Sequence, residues 1–200
     1  MKILIISGTP KTNGLTYSFV ETAEKTAKEE KVEYETLHLA QLNLQKCKMC
    51  GDGWGICFNE HVCNIGEEDG FNNIQKKIKE ANAFVYITPV YWGEISEDFK
   101  IFIDRLRRCQ ATKQWDERED EVSYLKGKPS ILVGVAGGSG FGLLSALMDF
   151  ERAISHMSGD EHPKEHVGIF DYAMINRWNS EYKRVAFEYS LRKLIEFNRR

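Results

Sequence analysis

Lys2-Ile3-Leu4-Ile5-Ile6-Ser7-Gly8-Thr9-Pro10-Lys11-Thr12-Asn13-Gly14-Leu15-Thr16 begins as an apolar strand, breaks into a hydroxyl- and Gly-rich loop, and continues as a helix. That order of elements makes an anion pocket. Backbone N–H groups converge in such a loop, and the helix N-terminus adds the positive end of its dipole. Ser7, Thr9, Thr12 and Thr16 bring hydroxyl donors and Lys11 brings a full charge, a set suited to a terminal phosphate. Two nucleotide motifs are excluded. A P-loop counted from Gly8 needs a second glycine where Asn13 stands, and Leu15 follows Gly14 in place of lysine. The dinucleotide fingerprint G-x-G-x-x-G fails at Pro10. What is left is anion binding without a Mg-nucleotide signature.

Working outward, the strand-then-helix unit recurs. Lys2–Ser7 is the first strand, and Leu15–Glu30 follows as a helix with Phe19, Ala23 and Ala27 on one face. Val32–Leu39 alternates as a second strand. Phe71, Ile74, Ile78 and Ala81 fall at helical spacing ahead of a third strand, Ala83–Thr88. Phe99, Phe102, Ile103 and Leu106 define an amphipathic helix. Lys128–Ala136 is a fourth strand, continuous in apolar residues as expected when both faces are covered. Leu143, Leu147, Phe150, Ile154 and Met157 mark the next helix, Val167–Ile175 a fifth strand, and Phe187, Leu191, Leu194 and Ile195 the last helix. Five β–α alternations predict an α/β fold, a doubly wound parallel sheet with helices on both sides. Two segments interrupt it. The Gly- and Cys-rich stretch 47–70 is not a regular helix, and 110–127, with the run Asp116–Glu121, reads as a solvated surface excursion.

The bulk properties bound the function. The 200 residues fit one domain, 1–200, and 42% hydrophobic residues supply a core. A net charge of −3 gives no electrostatic footprint for nucleic acid or an anionic membrane. The apolar runs are too short to span a bilayer or to form a signal peptide, so the expectation is a soluble, cytoplasmic protein. Of five cysteines, four lie within Cys47–Cys63, which argues for thiol or metal chemistry in a reducing compartment over a disulfide framework.

In a doubly wound sheet, ligands sit outside the carboxyl ends of the strands where the strand order reverses. Three loops are placed there: the phosphate loop, then Pro89-Val90-Tyr91-Trp92-Gly93-Glu94, then Gly137-Gly138-Ser139-Gly140-Phe141-Gly142. Tyr91 and Trp92 offer a face or edge to a flat ring, and the glycines let backbone N–H groups approach ring oxygens and nitrogens. Ordinary packing at a strand end is the alternative for the two aromatics. Together the three loops suit a planar, phosphorylated heteroaromatic cofactor.

Here a resemblance becomes specific. Gly8-Thr9-Pro10-Lys11-Thr12-Asn13-Gly14-Leu15-Thr16 resembles the G-S-P-R-x-x-G-N-T loop of the NADPH-dependent FMN reductase and iron–sulfur flavoprotein family. Pro89-Val90-Tyr91-Trp92-Gly93, with Lys100 and Asp104-Arg105 beyond it, is similar to that family's P-V-Y-(aromatic)-G…K-x-x-x-D-R segment. The resemblance implies a flavodoxin-like fold with strand order 2-1-3-4-5, FMN as cofactor, and a homodimer or homotetramer. It also implies roles. Ser7, Thr9, Lys11, Thr12, Asn13, Gly14, Leu15 and Thr16 would surround the FMN phosphate. Pro89, Val90, Tyr91, Trp92 and Gly93 would hold the isoalloxazine ring, with the amides of Gly137, Gly138, Ser139 and Gly140 on its other edge. The chain departs at Thr9, Lys11 and Leu15, where the family has Ser, Arg and Asn. Lys11 keeps the charge without arginine's bidentate fork. Lys100, Asp104 and Arg105 would either line a dimer interface or form a surface ion pair.

The spacing Cys47-x2-Cys50-x6-Cys57-x5-Cys63 can hold a [4Fe–4S] cluster or a zinc ion, or stand as free thiols. Iron–sulfur flavoproteins of the resembled family carry a more compact run at this place, with two residues in the middle gap. His61 could replace a thiolate at zinc, but a lone loop histidine is expected in solvent, and Cys109 reads as a packing residue. His156, His162 and His166 fit no metal motif.

The expected activity is that of an FMN-dependent oxidoreductase. NAD(P)H gives hydride to FMN, and a small acceptor such as a quinone, nitroaromatic, azo compound, metal ion or free flavin takes the electrons. No nucleophile or general base is nominated, because the chemistry belongs to the cofactor. The alternatives are an electron carrier pairing FMN with a cluster at Cys47–Cys63, and a flavodoxin-like scaffold without flavin.

Overall fold

A computed structural model describes residues 1–51, 53, 55–115, 122–158 and 168–199. The acidic run 116–121, His162, His166 and the first residue of the predicted fifth strand lie outside the described residues. In chain order the elements are β1 (Lys2–Ser7), α1 (Leu15–Glu29), β2 (Glu33–His38), α2 (Ile56–Asn59), α3 (Phe71–Glu80), β3 (Ala83–Tyr91) and β4 (Glu94–Ile95). Then follow α4 (Glu97–Gln110), β5 (Ser130–Val135), α5 (Leu143–Ser158), β6 (Ile169–Ile175) and α6 (Ser180–Asn198), with 3-10 turns at Leu39–Gln41 and Ala111–Trp115.

Five of the strands form a parallel sheet in the order β2-β1-β3-β5-β6. This is the predicted flavodoxin-like order, with β5 and β6 as the fourth and fifth parallel strands. The additional strand, β4, pairs antiparallel with the end of β3.

Period-two alternation along the strands divides the core into two layers. Ile3, Ile5, Val85, Ile87, Ile131 and Val133 face α1 and α6, where Phe19, Ala23, Phe187 and Leu191 meet them. Leu4, Ile6, Phe84, Tyr86 and Leu132 face the other way, onto Phe71, Phe99, Phe102, Leu106, Phe150 and Ile154 of α3, α4 and α5. Arg184 joins the first helix pair, donating to Ser18 O (2.9 Å) and Thr22 Oγ1 (2.6 Å). Among the described residues no helix is long and apolar enough to cross a membrane.

The structure corrects two expectations and refines one. The third strand does not end at Thr88 but runs through Pro89 and Val90 to Tyr91. Pro89 still pairs in register with Val135, and Val90 and Tyr91 are recruited by β4 opposite Ile95 and Glu94. Trp92 (φ 52°) and Gly93 (φ 85°) make the two-residue turn, with both central residues left-handed as a type I′ hairpin demands. Second, the cysteine-rich stretch contains one helical turn, α2. Third, the segment after Cys109 is not simply solvated: Gln110, Ala111, Thr112, Lys113 and Leu125 are buried. Gln110 Nε2 donates to Gln75 Oε1 (2.9 Å), and its Oε1 accepts from Tyr124 N (2.9 Å).

Helix α4 is seated against β1 by one missing side chain. A Cβ on Gly8 would lie 2.2 Å from Phe99 Cδ2 and 2.5 Å from Ser96 Oγ. Both neighbours are buried, so Gly8→Ala must displace the start of α4 and is expected to cost about 1–3 kcal/mol through overpacking. Urea unfolding measures it; a loss below about 0.5 kcal/mol would show that α4 moves freely there.

Candidate functional site

The β1 loop is held from below. Gly8 N extends the sheet by donating to Ile87 O (3.0 Å), and Ser96 Oγ donates to Gly8 O (2.8 Å). The same Ser96 is the N-cap of α4, and its backbone N–H donates to Thr88 Oγ1 (3.1 Å). Above this the chain curls, with Thr9 N donating to Ser7 Oγ (3.4 Å) and Lys11 N to Thr9 Oγ1 (3.4 Å). Gly14 then starts α1 at φ 96°, ψ −176°, a conformation open to glycine alone. No side chain caps α1, and its first turn carries no acid, so its leading N–H groups face outward for an anion.

Beside this loop lies a cavity of about 540 Å³, lined by Thr9, Lys11, Asn13, Gly14, Leu15 and Thr16, by Pro89, Val90 and Tyr91, and by Val135, Ala136, Gly137, Gly138 and Arg177. The three predicted loops therefore meet at one rim. A Cβ at Gly137 or Gly138 would meet nothing within 4 Å, so the backbone there is bare towards open space. No carboxylate lines the cavity among the described residues, although the chain as a whole carries net charge −3.

Six predicted residues do not line it. Ser7 is fully buried beneath the loop, and Thr12 points to solvent. Trp92 is fully exposed at the hairpin tip. Gly93 packs on Gly142, where a Cβ would lie 2.3 Å from Gly93 Cα, and Ser145 Oγ bridges the two carbonyls (3.1 and 3.0 Å). Ser139 and Gly140 turn toward β6, where Asn176 Nδ2 donates to Ser139 O (3.5 Å). Conversely, Val135, Ala136 and Arg177 were missed. Arg177 directly follows the last parallel strand but one residue, so applying the strand-end rule to that strand as well would have found it.

The cysteines gather elsewhere. Cys47, Cys50, Cys57 and Cys63, with Cys109, Arg105 and Arg108, line a second cavity of about 20 Å³, room for about one water. The donor set has the right chemistry for iron or zinc. Yet among the described residues no three His, Cys, Asp or Glu side chains stand in a metal-holding arrangement. Burial, then the neighbouring Cys63 and Cys47, push the Cys57 thiol above its ordinary range. Cys109 is raised further, mainly by burial, and packs in the core as predicted.

Arg105 and His61 depart from expectation. Arg105 is neither at a surface nor at an interface: its side chain is completely buried and forks onto Asp69. It also donates to Gln45 O (3.0 Å) and Cys63 Sγ (3.2 Å), and lies over the Phe71 ring. Lys100 and Asp104 form the exposed i, i+4 pair by themselves. His61 is buried, with Nδ1 3.1 Å from Thr112 Oγ1.

The model of the NADPH-dependent FMN reductase family matches residues 1–162, so the chain belongs to that family. It is 36% identical over 107 residues to an iron–sulfur flavoprotein of Methanocaldococcus jannaschii, a match covering 54% of this chain and 52% of that one. In the match the chain spans about half the length of the curated relatives. The fold is similar to that of an FMN-dependent NADH-azoreductase from Bacillus anthracis in complex with FMN (TM-score 0.67, 14% identity, covering 97% of this chain and 99% of that one). It is also similar to an NAD(P)H:quinone oxidoreductase from Methanothermobacter marburgensis (TM-score 0.66, 17% identity, covering 97% and 96%).

Burial alone would raise the Asp69 carboxyl, but the Arg105 hydrogen bonds outweigh it and hold that carboxyl below its ordinary value. A depressed carboxyl stabilises the fold above the unfolded value of about 3.9, and that contribution is lost as pH falls through the folded value. Asp69→Asn leaves the guanidinium buried and unpaired, a loss of about 3–5 kcal/mol. Denaturant unfolding at pH 7 and at about pH 2.5 checks both statements: the variant is expected to be less stable at pH 7 and to lose less than the wild type on acidification.

Proposed function

We propose that this chain is a single-domain, FMN-dependent NAD(P)H oxidoreductase that passes electrons to a small acceptor such as a quinone, a flavin or an azo compound. The observation carrying the proposal is the 540 Å³ cavity at which three strand-end loops meet. One end offers an uncapped helix N-terminus with Lys11, Thr9 and Thr16, and another offers bare backbone at Gly137 and Gly138. Those groups fit FMN. The first turn of α1 and Lys11 would take the phosphate, and the hydroxyls would complete its hydrogen bonds. Pro89, Val90 and Tyr91 would form a wall for the ring, and the glycines would let N–H groups reach its polar edge. When bound, FMN supplies hydride and electron-transfer chemistry, and the protein's share is anchoring, orientation and electrostatics. Donor and acceptor would use the open side in turn, beside the exposed Tyr91 and Trp92.

Exposed Phe141, Leu144 and Met148 at the start of α5 are consistent with assembly as a homodimer or homotetramer. A cytoplasmic location accords with the cysteine usage.

A second reading is supported by the convergence of Cys47, Cys50, Cys57 and Cys63 on one cavity, and by the relatives' name, iron–sulfur flavoprotein. In it the chain is an electron carrier with a [4Fe–4S] cluster beside FMN. Iron and acid-labile sulfide assays on anaerobically purified protein decide it: about four of each per chain, without NADPH turnover, would favour the carrier.

The leading proposal predicts resolved flavin bands, one FMN per chain, and steady NADPH oxidation in the presence of a quinone. Lys11→Glu removes a charge-assisted contact of about 1.5–3 kcal/mol and so should weaken FMN binding by at least about tenfold with the circular dichroism unchanged. Unaltered flavin content in that variant would overturn the role of Lys11, and a colourless wild type that refuses added FMN would overturn the proposal.

A further inference from the structure

Helix α6 buries one face and leaves the opposite face bare. Phe187, Leu191, Leu194 and Ile195 pack into the core, and Arg184 and Arg192 tie the helix to Ser18, Thr22, Glu29 and Glu30. Half a helical turn round stand Tyr182 (71% exposed), Val185 (68%) and Tyr189 (62%), with Trp178 (81%) at the foot of the helix. Spacings of about three and four residues line these side chains up along one edge. The solvent face of a surface helix ordinarily carries polar residues, and a monomer rarely shows such a stripe. It exposes roughly 500 Å² of side chain, taking about 150–250 Å² for each whole aromatic. A stable interface needs about 800 Å² from each partner, so the stripe would be the centre of one and its flanks the rest. Those flanks differ in charge. Glu181 and Glu188, each one residue before a tyrosine, run along one side, and Ala186 and Lys193 run along the other. Glu188 enters no ion pair among the described residues. Lys193 pairs with Glu196 at an exposed i, i+3 site, a contact weak enough to be exchanged.

We propose that the Trp178–Tyr189 face of α6 is a self-association surface, on which a second copy of this chain seats the same stripe with its helix parallel. A twofold axis running along the two helices sets Tyr182, Val185 and Tyr189 each against its own counterpart. Parallel seating also lays the acidic flank of one helix on the Lys193 flank of the other. Glu188 then meets Lys193 of the partner subunit five positions on, twice by symmetry. Antiparallel seating would set Glu181 and Glu188 against acids instead. The same acids oppose an anionic membrane, since a helix lying on lipid carries Lys and Arg on its polar face. The surface is distinct from the exposed Phe141, Leu144 and Met148 of α5, which covers the other side of the sheet. It does not rest on the flavin reading.

Sedimentation of the full chain over a range of concentrations tests it. The wild type should associate, and Val185→Glu should weaken that association by at least about tenfold. At a concentration where the wild type is associated, the variant's mass should be half as large, whether or not α5 makes a further contact. Val185 stands in solvent in the monomer, so circular dichroism and the urea midpoint should not change. Glu188→Lys should also weaken association, and adding Lys193→Glu to it should restore the wild-type mass. Under mild oxidation Tyr189→Cys should cross-link to itself above the wild-type background, as parallel seating requires. A monomeric wild type, an unchanged mass in Val185→Glu, or cross-linking only between Tyr182→Cys and Tyr189→Cys chains overturns the inference. Flavin content should be the same in every variant, so failure here leaves the flavin reading in place.

Discussion

The carboxyl rim of the sheet depends on the absence of a side chain at residue 8. Because Gly8 has none, Phe99 and the Ser96 hydroxyl fill the space beside β1, and Ser96 Oγ reaches Gly8 O across 88 residues of chain. Ser96 also receives the start of α4 and donates its own N–H to Thr88 Oγ1 at the end of β3. The β1–α1 loop, the end of β3 and the N-terminus of α4 are thus one hydrogen-bonded knot. Each buried bond contributes only about 1 kcal/mol, but a stranded buried donor or acceptor costs about 1–3 kcal/mol. Positional certainty is what the knot provides. The wall carrying Tyr91 is fixed relative to the loop carrying Lys11 before any ligand arrives, which is the preorganisation that electrostatic anchoring needs.

What the sequence revealed, and what it hid, follows from the range of the interactions. The order of the parallel strands and of the long helices was legible because their alternation is imposed by the two core layers. Ile3 and Ile5 must face α1 and α6 while Leu4 and Ile6 face the opposite layer. The extension of β3 past Thr88 was hidden because proline within a run argues against a strand. The partner that draws Val90 and Tyr91 into the sheet is a two-residue strand with no periodicity of its own. Arg105 was misread from its neighbours Lys100 and Asp104, which do form a surface pair. Its position, three residues after Phe102 and one before Leu106, already placed it beside the buried stripe of α4. The missing information was a counter-ion, Asp69, 36 residues away in an irregular loop. His61 was hidden in the same way, since the hydroxyl it meets lies on the turn after α4.

The site was legible as three loops and illegible as individual side chains. Loop convergence follows from topology, since every strand end next to the switch point opens on the same rim. Which atoms of a loop face the cavity depends on left-handed residues whose effect is local. Gly93 and Gly142 press their backbones together, and this turns Trp92 outward and away from the cavity wall. The side chain the sequence made most conspicuous is therefore the one placed in solvent.

Helix α4 links the two candidate centres and explains why a charge as costly as Arg105 is buried. Its first turn is locked to the strand-end cavity by Ser96, and its last turns carry Arg105, Arg108 and Cys109 to the thiol cavity. Ser96 and Arg105 are nine residues apart, so their Cα atoms stand about 14 Å apart along a straight helix axis. The loop bearing Cys47–Cys63 has little regular structure to hold it at that distance. Arg105 supplies the constraint, binding the loop at Gln45 O, Cys63 Sγ and Asp69 at once while stacking on Phe71. An apolar residue could fill the same volume but could not grip three separated points of an irregular chain. Whatever the thiols hold or exchange, their distance from the strand-end cavity is set by a rigid helix with a hydrogen-bonded clamp at each end.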